Sequence, residues 1–188
     1  FLGTYGLSIV LRKKDQSFET PLVKACDGRD YQSLPSVDVL VSAKDEENVV
    51  VRLVERLMSI QYPNEKITLQ VINDGSTDKT AFLLEELRKS FPALKVFNRS
   101  RFSGGGKSGA LNDALGELTG EWIFILDADA QFQEDILLRL VPFVENGGWA
   151  AVQLRKAVVN SGVNFLTLCQ SMEMAMDAVI QQGRLFAG

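Results

Sequence analysis

The stretch "VDVLVSA" at 37–43 constrains the fold more than any other part of the chain. It is rich in β-branched residues and largely apolar at consecutive positions, without the in–out alternation of a strand that faces water on one side. A strand of this kind needs cover on both faces, and the following sequence supplies it. "EENVVVRLVERLMSI" (46–60) sets Val50, Leu53, Val54 and Leu57 at helical spacing. "ITLQVIND" (67–74) reads as the next strand. "STDKTAFLLEELRKSF" (76–91) reads as the next helix, with Ser76, Thr77 and Asp78 as candidate caps and Pro92 beyond its end. The alternation continues through a strand at "LKVFNRS" (94–100), a helix at "KSGALNDALGEL" (107–118), a strand at "WIFILDAD" (122–129) and a helix at "EDILLRLVPFVEN" (134–146). The segment "WAAVQLRKAVV" (149–159) and a long helix at 164–182, its methionines spaced as core residues, complete the series. Strand–helix alternation without an internal repeat predicts an α/β fold, Rossmann-like, with a mainly parallel sheet sandwiched by helices. The 188 residues suffice for one such core.

Ligands of open parallel sheets bind outside the carboxyl ends of the strands, so the residues at those ends are the candidates for chemistry. The first strand ends in "SAKDEE", the second in "NDGSTD" and the fourth in "DADA", while the third runs into "RFSGGG". Asp127 and Asp129 flank the small Ala128. Such a pair is either a polar strand end entering a loop or a holder of a cation, and four polar clusters converging on one edge favour the cation. Two carboxylates about 3 to 5 Å apart repel by about a kcal/mol or more without a counter-ion. A divalent ion removes that repulsion. The chain contains no histidine, so oxygen ligands point to Mg²⁺ or Mn²⁺ and away from zinc. An ion held this way serves best by neutralising a diphosphate.

The absence of histidine also excludes Ser-His-Asp and Cys-His catalysis. Twenty basic residues against 24 acidic ones give a net charge of −4, the wrong balance for a nucleic-acid partner. Any phosphate-bearing ligand must therefore be met by local cations or a metal. Cys26 and Cys169 fit no metal or redox spacing and read as reduced thiols of a cytosolic domain.

The loop "SGGGKSGALNDA" (103–114) offers one such local cation. Its three glycines let backbone approach a ligand, and Lys107 at the start of a helix favours an anion. A P-loop is one reading of this loop. Gly106, Lys107 and Ser108 match its final residues, but Arg101 stands where the first glycine belongs, and the loop does not follow the first strand.

Taken in order, "VDVLVSAKDEENVV", "VINDGSTDKT", "GGGKSGALNDAL" and "WIFILDADA" resemble the successive motifs of family 2 glycosyltransferases with the GT-A fold, over about residues 36 to 155. The resemblance implies that Ala43, Lys44 and Glu47 cup the nucleotide base and that Asp74 contacts the uracil or ribose side. It further implies that Lys107 lies near the sugar diphosphate, that Asp127 lies near the nucleotide-sugar and shares the metal, and that Asp129 ligates it. Lys44-Asp45 departs mildly from the family, where an aromatic residue and Asn are common. The acidic catalytic base of the family and the Gln-x-x-Arg-Trp motif of its polysaccharide synthases are expected beyond Gly188. The catalytic base is therefore unassigned, and residues 35–188 are expected to form a donor-binding domain.

Within the family, the run from Val141 to Met174 is similar to the cyanobacterial-type monoglucosyldiacylglycerol synthases. That similarity implies inverting transfer of glucose from a UDP-sugar to a lipid acceptor such as diacylglycerol, the alternative being a processive cellulose- or hyaluronan-type synthase. Residues 1–34 are expected to be a juxtamembrane segment. The apolar stretch Phe1–Leu11 ends at Arg12, Lys13 and Lys14, and is either the inner end of a membrane helix or a core element followed by a basic turn. The first alternative puts the enzyme in a membrane with this domain on the cytoplasmic side.

Overall fold

The computed structural model describes residues 33–147, 150–152 and 154. The expected juxtamembrane segment, apart from its last two residues, most of the 149–159 segment and the helix at 164–182 lie outside the described residues. The fold below is that of the unit Val23–Gly148; Phe1–Leu22 and Trp149–Gly188 form a second unit.

Four strands form one parallel sheet: β1 (Val37–Ala43), β2 (Ile67–Asn73), β3 (Leu94–Asn98) and β4 (Trp122–Asp127), in the spatial order β3-β2-β1-β4. Between them run helices α1 (Val50–Met58), α2 (Thr80–Ser90) and α3 (Gly106–Ala114), with α4 (Ile136–Gly147) following β4. The prediction that β1 is covered on both faces is met. Val39, Val41 and Ala43 lie in one apolar cluster with Leu53, Val54 and Leu57 of α1, Leu84 of α2 and Leu137 of α4. Leu40 faces the other way, packed with Ile72 and with Ala110 and Ala114 of α3. Small residues on α3 let that helix approach the sheet closely. Farther along the same face, Ile123 and Ile125 of β4 stand about half exposed.

A polar clamp fixes β4 to β1. Asp38 is buried, and its Oδ2 accepts the N–H groups of Thr119 at 2.9 Å and Gly120 at 2.7 Å. A side chain at Gly120 would come within 2.8 Å of the Asp38 nitrogen, so the close approach requires glycine. Ser36 N–H donates to Glu121 Oε1 at 3.0 Å, and Glu121 N–H donates to Ser36 Oγ at 3.1 Å.

The element boundaries are tighter than the sequence pattern predicts. The expected helix at 46–60 is helical at 50–58, and the one at 76–91 begins only at Thr80. The expected caps Ser76 and Thr77 bond to Asp45 instead, and Asp78 accepts from both Thr80 and Glu47. The helix expected at 107–118 is α-helical to Ala114 and tightens into a 3₁₀ turn over Leu115–Glu117. The strands expected at 94–100 and 122–129 stop at Asn98 and Asp127. Among the described residues no helix is long and apolar enough to cross a membrane.

Candidate functional site

The strand register brings the polar strand ends together. Ser42 is level with Asp127 across β1 and β4, Ala43 with Asn73 across β1 and β2, and Asn73 with Asn98 across β2 and β3. The chain runs outward from β1 through β2 to β3 and then crosses back to β4 on the other side of β1, so the crevice beyond the β1 and β4 ends is a topological switch point, the usual ligand site of such sheets. A groove of about 480 Å³ lined by Gln61, Tyr62, Pro63, Glu65 and Leu138 lies near the amino ends of the strands, away from this chemistry.

On the β1 side, Ala43 is buried and its carbonyl accepts the Asp74 N–H at 2.9 Å, which fixes one strand end against the next. Lys44 is exposed. The loop after Lys44 is joined to the loop after β2 by reciprocal bonds. Asp45 N–H donates to Ser76 Oγ at 3.0 Å, while the Asp45 carboxylate accepts Thr77 N–H at 2.6 Å and its hydroxyl at 3.2 Å. Glu47 N–H donates to Asp78 Oδ2 at 3.0 Å, and Lys79 N–H donates to Glu47 Oε2, also at 3.0 Å. One carboxylate oxygen of Glu47, a candidate base-binding residue, is therefore occupied in tying the two loops. The Thr77 N–H and hydroxyl hold the Asp45 carboxyl below the usual carboxylate range against slight burial. Burial pushes the Asp78 carboxyl up, but the Thr80 hydroxyl and N–H and the Glu47 N–H outweigh it, and its pKa is lowered. Asp45 takes a positive φ of 54°, which short polar residues tolerate better than bulky ones.

On the β4 side, Asp127 ends the strand half-buried, and its carbonyl accepts the Ala130 N–H at 3.0 Å to close a tight turn. Arg56 from α1 donates to the Ala130 carbonyl at 3.1 Å and so pins the far end of that turn. Ala128 packs into the core, while Asp129 is exposed with no hydrogen-bond or ion-pair partner among the described residues. Lys107, in the first turn of α3, forms an ion pair with Asp127 Oδ1. The structure thus brings Lys107 and Asp127 into contact. Gly104, Gly105 and Gly106 have φ of 67°, 74° and 53° in succession. That backbone path leads into α3, whose first turn carries no side-chain cap, so its N–H groups are open to an anion.

Among the described residues, no group of three or more acidic, cysteine or histidine side chains gathers into a metal cage. Two carboxylates suit Mg²⁺ or Mn²⁺, which complete their octahedral shell with phosphate oxygens and water. Asp127 and Asp129 fit that donor set.

Sequence reasoning missed Arg99. It follows β3 directly and is buried, and its guanidinium forms an ion pair with Asp74 Oδ1. It also donates to Asp113 Oδ2 at 2.7 Å and to the Gly104 carbonyl at 2.9 Å. Bonding to Asp113 first, and to Asp74 after it, raises the Arg99 pKa against the opposing effect of burial. The available signal was positional: a cation directly after a strand end, in a sheet whose other strand ends carry carboxylates. Gly75 was missed as well. Its φ is +64°, and a side chain there would come within 2.5 Å of the Arg101 Cα.

A beta-monoglucosyldiacylglycerol synthase of Synechocystis sp. is 42% identical over 82% of this chain and 32% of its own length. One of Nostoc sp. is 46% identical over 83% of this chain and 33% of its own. The chain thus spans about a third of these relatives. The mannosyltransferase PcManGT from Pyrobaculum calidifontis, solved with GDP-Man and Mn²⁺, superposes with a TM-score of 0.62 at 26% identity, over 76% of this chain and 40% of that one. The fold is the GT-A fold expected from the motifs. The family model for glycosyl transferase family 2 matches residues 38–185, and the chain belongs to that family.

Proposed function

We propose that this chain is the donor-binding part of an inverting glycosyltransferase that moves glucose from UDP-glucose to a lipid acceptor such as diacylglycerol, using Mg²⁺ or Mn²⁺. The observation that carries the reading is the meeting of Lys107 and Asp127 at the sheet's switch point, next to the exposed Asp129. The 42% and 46% identities to the two synthases support the lipid acceptor.

In this reading Asp74 meets the nucleoside, and Lys107 meets the diphosphate together with the N–H groups of the first α3 turn. Asp127 and Asp129 would hold the divalent ion, which when bound offsets the charge that builds on the leaving diphosphate. The acceptor oxygen attacks the anomeric carbon from the face opposite the diphosphate. As that bond forms, the bond from the anomeric carbon to the diphosphate oxygen breaks and its electron pair leaves with UDP. The acceptor proton passes to an acidic group outside the residues assigned here. Diacylglycerol is available only in a bilayer, so the enzyme works at a membrane, on the cytoplasmic side where UDP-sugars occur.

The test is transfer of labelled glucose from UDP-glucose to diacylglycerol vesicles by the protein in its membrane fraction, with Mg²⁺, with Mn²⁺ and with EDTA. Glucolipid formed only with metal, and lost in Asp129→Asn, is the expected result. Undiminished transfer in EDTA removes the metal role, and a long insoluble glucan in place of glucolipid transfers the function to polymer synthesis.

A further inference from the structure

We propose that Arg99 is a positioning residue for donor binding, holding the glycine-rich loop and α3 at a fixed distance from Asp74. The proposal rests on the donor site described above and assigns to it a residue outside the family motifs. The guanidinium reaches three segments at once. It engages Asp74 at the end of β2, the Gly104 carbonyl in the loop and Asp113 one helical stretch past Lys107. These contacts join the part of the site that meets the nucleoside to the part that meets the diphosphate. The planar, always-charged fork of arginine suits such a junction; a lysine ammonium has neither the plane nor the spread of donors. Asp74 commits Oδ1 to Arg99.

Gly109 carries an independent sign of the same device. A Cβ there would lie 2.8 Å from the Gly104 oxygen and 3.1 Å from the Arg99 Nη2. Gly109 lies inside α3, where glycine ordinarily weakens a helix relative to alanine. Glycine at this position leaves room for the bond from Arg99 to the loop carbonyl. The backbone of the loop is the flexible partner, with three successive left-handed glycines, so without Arg99 it has several paths from Ser103 to Lys107.

Two substitutions separate positioning from mere support of the fold. Arg99→Lys keeps a charge beside Asp74 and loses the fork. Gly109→Ala keeps every charged group and displaces only the contact between Arg99 and the loop. Each is assayed in the protein for KM of UDP-glucose and kcat with Mn²⁺, alongside its melting temperature and its affinity for UDP with Mn²⁺ by calorimetry. Both variants are expected to raise the donor KM and the UDP dissociation constant about tenfold, with kcat within about twofold, as for a binding group displaced by a fraction of an ångström. Gly109→Ala gains the helix propensity of alanine but forces the Gly104 carbonyl back from 2.8 Å, so its melting temperature is expected to fall less than that of Arg99→Lys. Normal donor KM in both variants overturns the proposal while leaving the donor site standing. A parallel loss of melting temperature, KM and kcat in both overturns it in favour of a purely structural arginine. Wild-type protein that binds no UDP with Mn²⁺ overturns the donor site itself, and this proposal with it.

Discussion

The contact between Gly75 and Arg101 gives the tightest quantitative prediction. Three glycines to be changed to alanine differ in known ways. Gly116, in the 3₁₀ turn, has no left-handed φ and nothing within 4 Å of a Cβ. Gly104 has a φ of +67° but open space, and Gly75 has a φ of +64° and the Arg101 Cα at 2.5 Å. Gly116→Ala is therefore expected to be neutral or to stabilise by less than about 1 kcal/mol, through reduced freedom of the unfolded chain. Gly104→Ala is expected to cost about 1 kcal/mol for the left-handed backbone alone. Gly75→Ala carries that cost and also forces the Arg101 backbone from 2.5 Å towards the 3.4 Å at which ordinary contact begins, a shift of about 1 Å. Overpacking of this kind adds about 1–3 kcal/mol, for a total of about 2–4 kcal/mol. At about 2–4 °C per kcal/mol for a domain of this size, the melting temperature should fall by about 4–16 °C in Gly75→Ala and by about 2–4 °C in Gly104→Ala. The displaced segment lies two residues from Arg99, so donor affinity should fall too. Differential scanning fluorimetry on the three variants reads the order. Equal melting temperatures for Gly75→Ala and Gly104→Ala would refute the steric argument.

Two further outcomes follow from buried or charge-assisted bonds. Asp38→Ala leaves the N–H groups of Thr119 and Gly120 without their acceptor, and is expected to cost about 2–4 kcal/mol in urea denaturation; a cost below about 1 kcal/mol would show that water replaces the carboxylate. The Asp45 carboxyl has a folded-state pKa below its unfolded value, so its contribution to stability is present above about pH 4 and is lost as pH falls through the folded value. Asp45→Asn tolerates the same φ without the charge, so it should be less stable than wild type at pH 7, and the gap should narrow as the pH is taken below about 4; a gap unchanged at low pH would mean that the charge is not the cause.

The sheet was legible from the sequence because its determinants are local. The β-rich run at 37–43 matches β1 at both ends, and the β2 run differs from the observed strand by one residue. The overreaching helix at 76–91 has a non-local cause. Ser76, Thr77 and Asp78 have the chemistry of caps, yet they bond to a loop about 30 residues earlier, which periodicity does not register. The partners of Arg99 were illegible for the same reason. Its acceptors lie 5, 14 and 25 residues away, and only the fold brings them to one point. Asp74, Lys107, Asp127 and Asp129 were named from motifs. The structure adds that Asp74 is paired with Arg99 and Lys107 with Asp127, while Asp129 stands exposed.

The pairing of β4 with β1 has a kinetic consequence. Asn73 of β2 and Asn98 of β3 bond across 25 residues, and the loops after β1 and β2 meet across 32. Ser36 and Glu121, which seat β4 beside β1, are 85 residues apart. Closing the longer loop costs about 0.9 kcal/mol more in chain entropy, and during synthesis β4 emerges after the other three strands. A nascent block of β1, β2 and β3 therefore precedes the four-stranded sheet of the described residues, with the β1 edge that later receives β4 still open. Unpaired strand edges invite aggregation, so the open β1 edge is exposed to it during this interval. Asp127 and Asp129 come with β4, the last of the four described strands to emerge, so they join the other candidate site residues only once it docks.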